Sequence, residues 1–451
     1  MPVSRSTRVQ KLRSLIRLLV DTSEVVIEEW EAEERHSSRN ESATPNLVSH
    51  KLFEARRVIH GACAMCIDLV EDPRVRLQEI SESFALSQAF DTTVRAGVPD
   101  ILAEAEAPAS GVSARQLSLR TGIDEKKLVR VMHFLCSGGI YDEVGVQRFA
   151  NTNLSGVLVG NPQAKAMQCL FGTKLFVEAL EHLPATLLDP ETASSTSVTV
   201  AAFQRAQKTG LSLFDFMARS DETDAAILET GEMFPEAMFG QSQISSLSLI
   251  HDFPWGSLGK GTVVDVGGGI GSMSLTLAKA FPDLCFVVED LPITIEKARP
   301  IWQTGYPGAV ESGRVRLLPH DFFTEQPVQG AAAYFLRSVL HDWPDDDCVQ
   351  ILSRLRDVMS PESRILVADM IVQPPLGSAH FKAAPAPLPA NYGRADLIKG
   401  MHDMVMLSLL NGAERTPEQL EAVANRAGLK VVKIWECRGP VSITELRRLP
   451  V

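Results

Sequence analysis

The chain has 451 residues, 45% of them apolar and 22% charged, the make-up of a globular protein, and at roughly 100–200 residues per domain it has room for two or three domains. Its formal net charge of −12, from 44 basic and 56 acidic residues, argues against a nucleic-acid partner, whose phosphates demand a basic face. Seven scattered cysteines, an odd number, suit reduced thiols rather than a disulfide framework, and Cys63-x-x-Cys66 lacks the second pair that a zinc site needs.

Residues 1–35 read as an amphipathic helix. Its basic start (Arg5, Arg8, Lys11, Arg13, Arg17) has neither the unbroken apolar core nor the small-residue cleavage site of a signal peptide. No run approaches the ~20 apolar residues that span a bilayer, so a cytoplasmic protein with no membrane partner is expected. A polar linker follows at 37–48, then helices to about residue 100. Residues 113–150 have a sharper form. Ser113 caps a helix over 114–120 that Gly122 ends, Asp124 caps a second that stops at Gly138-Gly139, and a short β-wing turns at Gly145. This winged-helix pattern carries six basic residues against four acidic. It is read as a dimerisation or substrate-covering unit rather than a DNA reader.

Residues 166–250 are again helical, with breaks near 210 and 240. From 262 the texture changes to short β-branched strands alternating with helices, which predicts an α/β domain with a parallel sheet covered on both faces. Strands are placed at 262–266, 284–289, 314–318, 332–336, 364–369 and 429–435, with a last one near 440–444. Five prolines between 374 and 389 rule out regular structure over 373–393, which is read as a surface loop. The resulting division is 1–165 helical and winged-helix, 166–250 connecting and substrate-lining, and 251–451 nucleotide-binding and catalytic.

Ligands of an open parallel sheet bind beyond the carboxyl ends of its strands, and here five strand ends carry suitable groups. The first runs Val263-Val264-Asp265-Val266-Gly267-Gly268-Gly269-Ile270-Gly271, whose glycines bring backbone N–H groups close to a ligand at a helix N-terminus. The second leads to Asp290, 19 residues after Gly271, a carboxylate able to accept from both ribose hydroxyls. The third leads to Asp321-Phe322, an acid for an adenine amino group and a ring beside it. The fourth gives Arg337 and then His341-Asp342-Trp343, and the fifth ends at Asp369. Position 272 is Ser, where a dinucleotide fingerprint wants Gly, and there is one such half, so a mononucleoside fits better than a dinucleotide.

With these motifs, Val288-Glu289-Asp290-Leu291-Pro292 and Asn411-Gly412-Ala413-Glu414-Arg415-Thr416, the sequence resembles the class I S-adenosylmethionine-dependent O-methyltransferases of the plant and fungal type that methylate small phenols. The resemblance implies a Rossmann-like S-adenosylmethionine-binding sheet behind an N-terminal helical and winged-helix dimerisation domain, and a homodimer. It implies His341 as general base, with Asp369 and Glu414 orienting it and no metal. It assigns Asp265, Gly267, Gly268, Gly269, Asp290, Leu291, Asp321, Phe322, Arg337 and Ser242 to the cofactor, and Met238, Asp342 and Asn411 to the substrate. Arg337 stands where plant members carry Lys, and Asp369 where they often carry Glu. The implied reaction is methylation of a hydroxyl on a small aromatic or polyketide-like secondary metabolite. The alternative is a cyclase or pericyclase on the same fold, which needs the cofactor but transfers no methyl group. The remaining histidines, His402 among Met401, Met404 and Met406 included, are read as core residues, and Asp345-Asp346-Asp347 as the acidic first turn of a helix that begins at Pro344.

Overall fold

A computed structural model describes residues 5–37, 47–107, 110–218 and 224–449. Most of the linker expected at 37–48 lies outside the described residues. Backbone contacts group the chain into two compact units, one of residues 1–70, 182–213 and 244–451, the other of residues 71–181 and 214–243. This grouping departs from the expected cuts at 165 and 250, because the N-terminal helices pack with the sheet unit, through side chains that sequence periodicity alone does not pair.

In the sheet unit, the N-terminal helix Arg5–Ser37 and the helix His50–Val70 pack through Leu15, Val26, Leu52 and Val58. The large sheet has seven strands, β1 (Thr262–Val266), β2 (Cys285–Asp290), β3 (Val315–Pro319), β4 (Ala333–Arg337), β5 (Arg364–Met370), β6 (Leu429–Trp435) and β7 (Val441–Arg448). Their order is β3-β2-β1-β4-β5-β7-β6. The strands β1 to β5 pair in parallel, whereas β7 runs antiparallel to both β5 and β6. The expected parallel sheet is therefore found over β1 to β5, with β7 reversed at its far side. Only the turn 436–440 separates β6 from β7, too little chain for a crossover, so β7 must reverse. Successive residues of β1 face opposite sides: Val263 joins a core with Phe286, Phe335 and Trp255, and Val264 one with Tyr334, Leu336 and Ile365.

The chain leaves β1 toward β2 and β3 on one side, and β4 lies on the other. That reversal is the switch point where an open sheet offers a crevice. The glycine turn after β1 and the segment 337–342 after β4 border it. The proline-rich segment 373–393 is a correction. Its Leu388 and Tyr392 are buried with Leu15, Val58 and Ala62 of the two N-terminal helices. The Arg57 guanidinium lies 3.9 Å from the Tyr392 ring centroid, and Lys382 pairs with Glu54 at 2.6 Å. It is a strap across the helices, held by apolar burial that its prolines do not reveal.

In the second unit, the winged helix forms as expected. Helix Ala114–Thr121 opens on a capping box between Ser113 and Gln116, and helix Glu125–Ser137 on Asp124, whose side chain accepts from the Lys127 N–H. The strands Val112–Ser113, Arg148–Asn151 and Tyr141–Gly145 make a three-stranded sheet. The break expected near 240 is absent. Helix Ala225–Asp252 runs through it, and Gly240 serves close packing, since a Cβ there would sit 2.5 Å from the Gln163 carbonyl oxygen.

Candidate active site

The glycine turn is shaped from beneath by Asp265. Its buried carboxylate accepts from the Ser274 hydroxyl at 2.5 Å, and burial pushes it up to about 6. A Cβ on Gly268 would lie 2.6 Å from that carboxylate, so only glycine lets the turn fold over it. Gly267 has φ +65, and a Cβ on it would press on Phe322 and Val339. These glycines leave a bare backbone cradle ahead of the helix Ser272–Ala280.

Asp290 closes one side of the cradle. Its two carboxylate oxygens accept from the Gly269 and Leu291 N–H groups, each at 2.8 Å, which fixes the group before any ligand arrives. Each oxygen keeps a lone pair for a further donor. Asp321 is exposed, with its side chain accepting from the Phe323 N–H. Phe322, Phe323 and Trp343 form an aromatic cluster with centroids 4.8–6.0 Å apart. Arg337 is largely enclosed, and burial lowers its pKa against the opposing pull of Asp265.

His341 sits in a 3₁₀ turn, Leu340–Asp342, that three neighbours hold. The Ala413 N–H donates to the His341 carbonyl at 2.9 Å. A Cβ on Gly412 would fall 2.1 Å from that same oxygen, so the loop approaches this closely only because residue 412 has none. Arg415 is buried and donates to the Leu340 and Trp343 carbonyls at 2.8 and 2.7 Å and to Asp345 at 2.9 Å. Helix Asp345–Val358 begins at Pro344 with three aspartates in its first turn, as expected. Sequence reasoning quoted Gly412 and Arg415 within a motif but gave them no role. The Asn-Gly pair, a signal for an abrupt turn, was the available clue.

The His341 Nδ1 lies 2.6 Å from Glu414 Oε1, a charge-assisted hydrogen-bond length, and its Nε2 is 3.5 Å from Asp342. Asp369 is buried and accepts from the Ser338 N–H at 3.0 Å rather than from the imidazole. Its effect on His341 is through charge. Burial lowers the His341 pKa, but the Glu414, Asp342 and Asp369 carboxylates outweigh it and hold the imidazole up to about 10. Burial likewise raises Asp342 and Asp369 to about 6, while the histidines hold Glu414, against its burial, down to about 2.

His402 departs from the core reading. Its ring stacks on His341, with centroids 5.7 Å apart and planes within 7°, and its Nδ1 lies 3.0 Å from the same Glu414 oxygen. Among the described residues, His341, His402 and Glu414 are the one group of three histidine, cysteine or acidic side chains whose polar atoms lie within 4.8 Å of one another. Asn411 caps helix Leu397–Leu410 in the left-handed conformation and donates to the Ser197 and Val200 carbonyls, which leaves its amide oxygen for other partners. Met238, half-exposed, and Ser242, buried, belong to the second unit.

A domain described as the O-methyltransferase domain matches residues 195–430, and the O-methyltransferase dimerisation domain matches 78–161. O-methyltransferase gedA of Aspergillus terreus is 38% identical, over 99% of this chain and 98% of its own. This chain belongs to the O-methyltransferase family. The methyltransferase resembles the S-adenosylhomocysteine-bound structure of CalO1, a methyltransferase in calicheamicin biosynthesis, at 26% identity and a TM-score of 0.66, over 84% of this chain and all of that one. It shares its fold with a structure titled a pericyclic reaction enzyme, at 21% identity and a TM-score of 0.68, over 94% of this chain and all of that one. The cofactor of the methyltransferase is S-adenosylmethionine, and the bare glycine cradle, the pre-set Asp290 carboxylate and the Phe322 ring are chemically suited to a nucleoside.

Proposed function

We propose that this methyltransferase acts on a hydroxyl of a small aromatic or polyketide-like secondary metabolite, with His341 as the general base. The observation that carries this reading is the buried His341–Glu414 pair, fixed on a clamped turn at the sheet's switch point. S-adenosylmethionine, when bound, supplies an electrophilic methyl group on a sulfonium. In this reading Asp290 accepts from the ribose hydroxyls, with Leu291 beside it. The Gly267–Gly269 turn, shaped by Asp265, receives the chain of the amino acid, and Asp321 and Phe322 hold the adenine. Arg337 completes the cofactor contacts made by the sheet unit, and Asp342 and Asn411 line the acceptor.

Phenols ionise near ~10 and an ordinary imidazole near ~6.5, so a neutral His341 can take the phenolic proton as the new bond forms, help worth ~10²–10⁴-fold. Glu414 on Nδ1 fixes the tautomer and stabilises the imidazolium. Positioning supplies much of the remaining rate. In the unliganded protein the three carboxylates keep His341 protonated at neutral pH, and only its neutral form can act as a base. The kcat/KM of the wild type therefore rises with pH, with an acid limb above the ordinary imidazole value of ~6.5. A limb at or below that value counts against His341 as the group that titrates.

The test is a His341→Gln variant assayed with a panel of simple phenols, together with calorimetric binding of S-adenosylhomocysteine. Turnover falls by ~10²-fold or more while binding is kept. In Asp290→Ala the binding itself is lost. Full turnover in His341→Gln defeats the base assignment. Mass-labelled methyl groups that never reach any product would favour the pericyclase alternative, which shares this fold. The match to the dimerisation domain supports a homodimer.

A further inference from the structure

Glu414 is an unusual carboxylate because two histidines compete for it. Its side chain is fully buried, and its backbone N–H donates to Asp403 at 2.8 Å. His341 reaches it from the turn Leu340–Asp342 and His402 from helix Leu397–Leu410, and both present Nδ1 to Oε1, at 2.6 and 3.0 Å. The His402 Nδ1 lies off the hydrogen-bond direction, and Glu414 Oε2 has no partner. His402 Nδ1 and Glu414 Oε2 thus stand buried in one cluster without a hydrogen-bond partner. Leaving both unmatched is costly.

We propose, resting on the assignment of His341 as base, that His402 is a positioning residue for methyl transfer. By presenting Nδ1 to the carboxylate that His341 uses, it draws part of the Glu414 charge away from His341, so that His341 gives up its resting proton more readily. The groups facing this pair are Asp342 beside His341, Asp369 at the end of β5, Asp403 next to His402, and Arg415 on the Glu414 loop. Three of those four are acids, and two of them, Asp342 and Asp369, act with Glu414 to hold His341 in its protonated form. His402 is the neighbouring group on Glu414 that acts in the opposite sense. As a neutral donor it weakens the carboxylate as an acceptor, and as a cation it repels a proton on His341. Both states lower the basicity of His341.

The experiment compares full-length wild type, His402→Leu and His402→Asn from about pH 6 to about pH 10, with S-adenosylmethionine and the best acceptor from a panel of simple phenols. Asn places a donor close to where His Nδ1 stands, and Leu places none. In His402→Leu the acid limb moves up by about one pH unit, so kcat falls about tenfold near neutral pH and recovers as pH rises. KM stays within about twofold and S-adenosylhomocysteine binding is unchanged. His402→Asn returns most of the wild-type profile. In the unliganded protein, ¹⁵N-histidine NMR shows His341 keeping its proton to higher pH in the Leu variant. A loss of rate that is the same at every pH, or a His341 titration unmoved by the substitution, overturns the proposal. Full turnover in His341→Gln would instead defeat the base assignment, and the NMR comparison would still decide whether His402 tunes the ring.

Discussion

At the scale of single residues, the crevice beyond β1 and the His341 turn are surrounded by carboxylates whose environments pull them in different directions. Glu289 in β2 is the clearest case outside the proposed chemistry. It is buried, its Oε2 accepts from the Gln326 amide at 2.8 Å, its Oε1 has no partner, and burial pushes it up to about 7. A carboxylate with its folded pKa raised contributes stability below its unfolded value of ~4.5, and that contribution is lost as pH climbs through about 7. Glu289→Gln removes the ionisation. The variant's melting temperature should therefore change less between pH 5 and pH 8 than that of the wild type, a difference of about 1–3 kcal/mol in stability, read by calorimetry at the two pH values. An equal pH dependence in the two proteins would show that Glu289 does not ionise at a cost. The sequence made Asp290, its neighbour, visible as a candidate because a strand-end acid after a glycine turn has a chemical use. It left Glu289 silent, because desolvation depends on what the sheet stacks above it.

At the scale of elements, the loop 411–416 does more than carry Glu414. Gly412 lies against the His341 carbonyl, Ala413 hydrogen-bonds it and Arg415 ties the turn to the next helix. A Gly412→Ala substitution forces the loop away from His341, and a shift of about 1 Å in a reacting group costs about 10²-fold in rate. The expected result is a kcat loss of that order with S-adenosylhomocysteine binding retained, measured by steady-state kinetics and calorimetry. Wild-type kcat would mean that the loop gives way without moving the ring. The capped helices Ala114–Thr121 and Glu125–Ser137 were legible to within a residue, because Ser113, Gly122, Asp124 and Gly138 act on their own neighbours. The strands β1 to β6 were legible for the same local reason. The insertion of β7 between β5 and β6, the uninterrupted course of helix Ala225–Asp252 past Gly240 and the docking of 373–393 were not, since each is decided by a partner distant in sequence.

At the scale of the whole molecule, the methyltransferase carries surface features that fit assembly. In the segment matched to the dimerisation domain, Ile80 and Phe84 are exposed on one face of helix Pro73–Arg95, together with Leu77. Isolated apolar residues on a surface need no explanation, but a stripe along a helix marks a contact. Replacing Ile80 and Phe84 together by Asp should convert the dimer to a monomer by light scattering coupled to size exclusion, and an unchanged mass would place the interface elsewhere. Among the described residues, no helix is long and apolar enough to cross a membrane.

The sequence by itself determined the identity of the crevice. The glycine turn, the strand-end acids and the His341 and Glu414 motifs are short-range patterns whose chemistry follows from residue type and spacing. What only the tertiary structure decided is how those groups act on one another. The pairing of His341 with Glu414 across 73 residues, the withdrawal of Asp369 to a backbone N–H and the arrival of His402 on the same carboxylate each depend on separate elements meeting at the switch point of the sheet. Electrostatic coupling falls with distance and rises with burial, and both quantities exist only once the chain has folded.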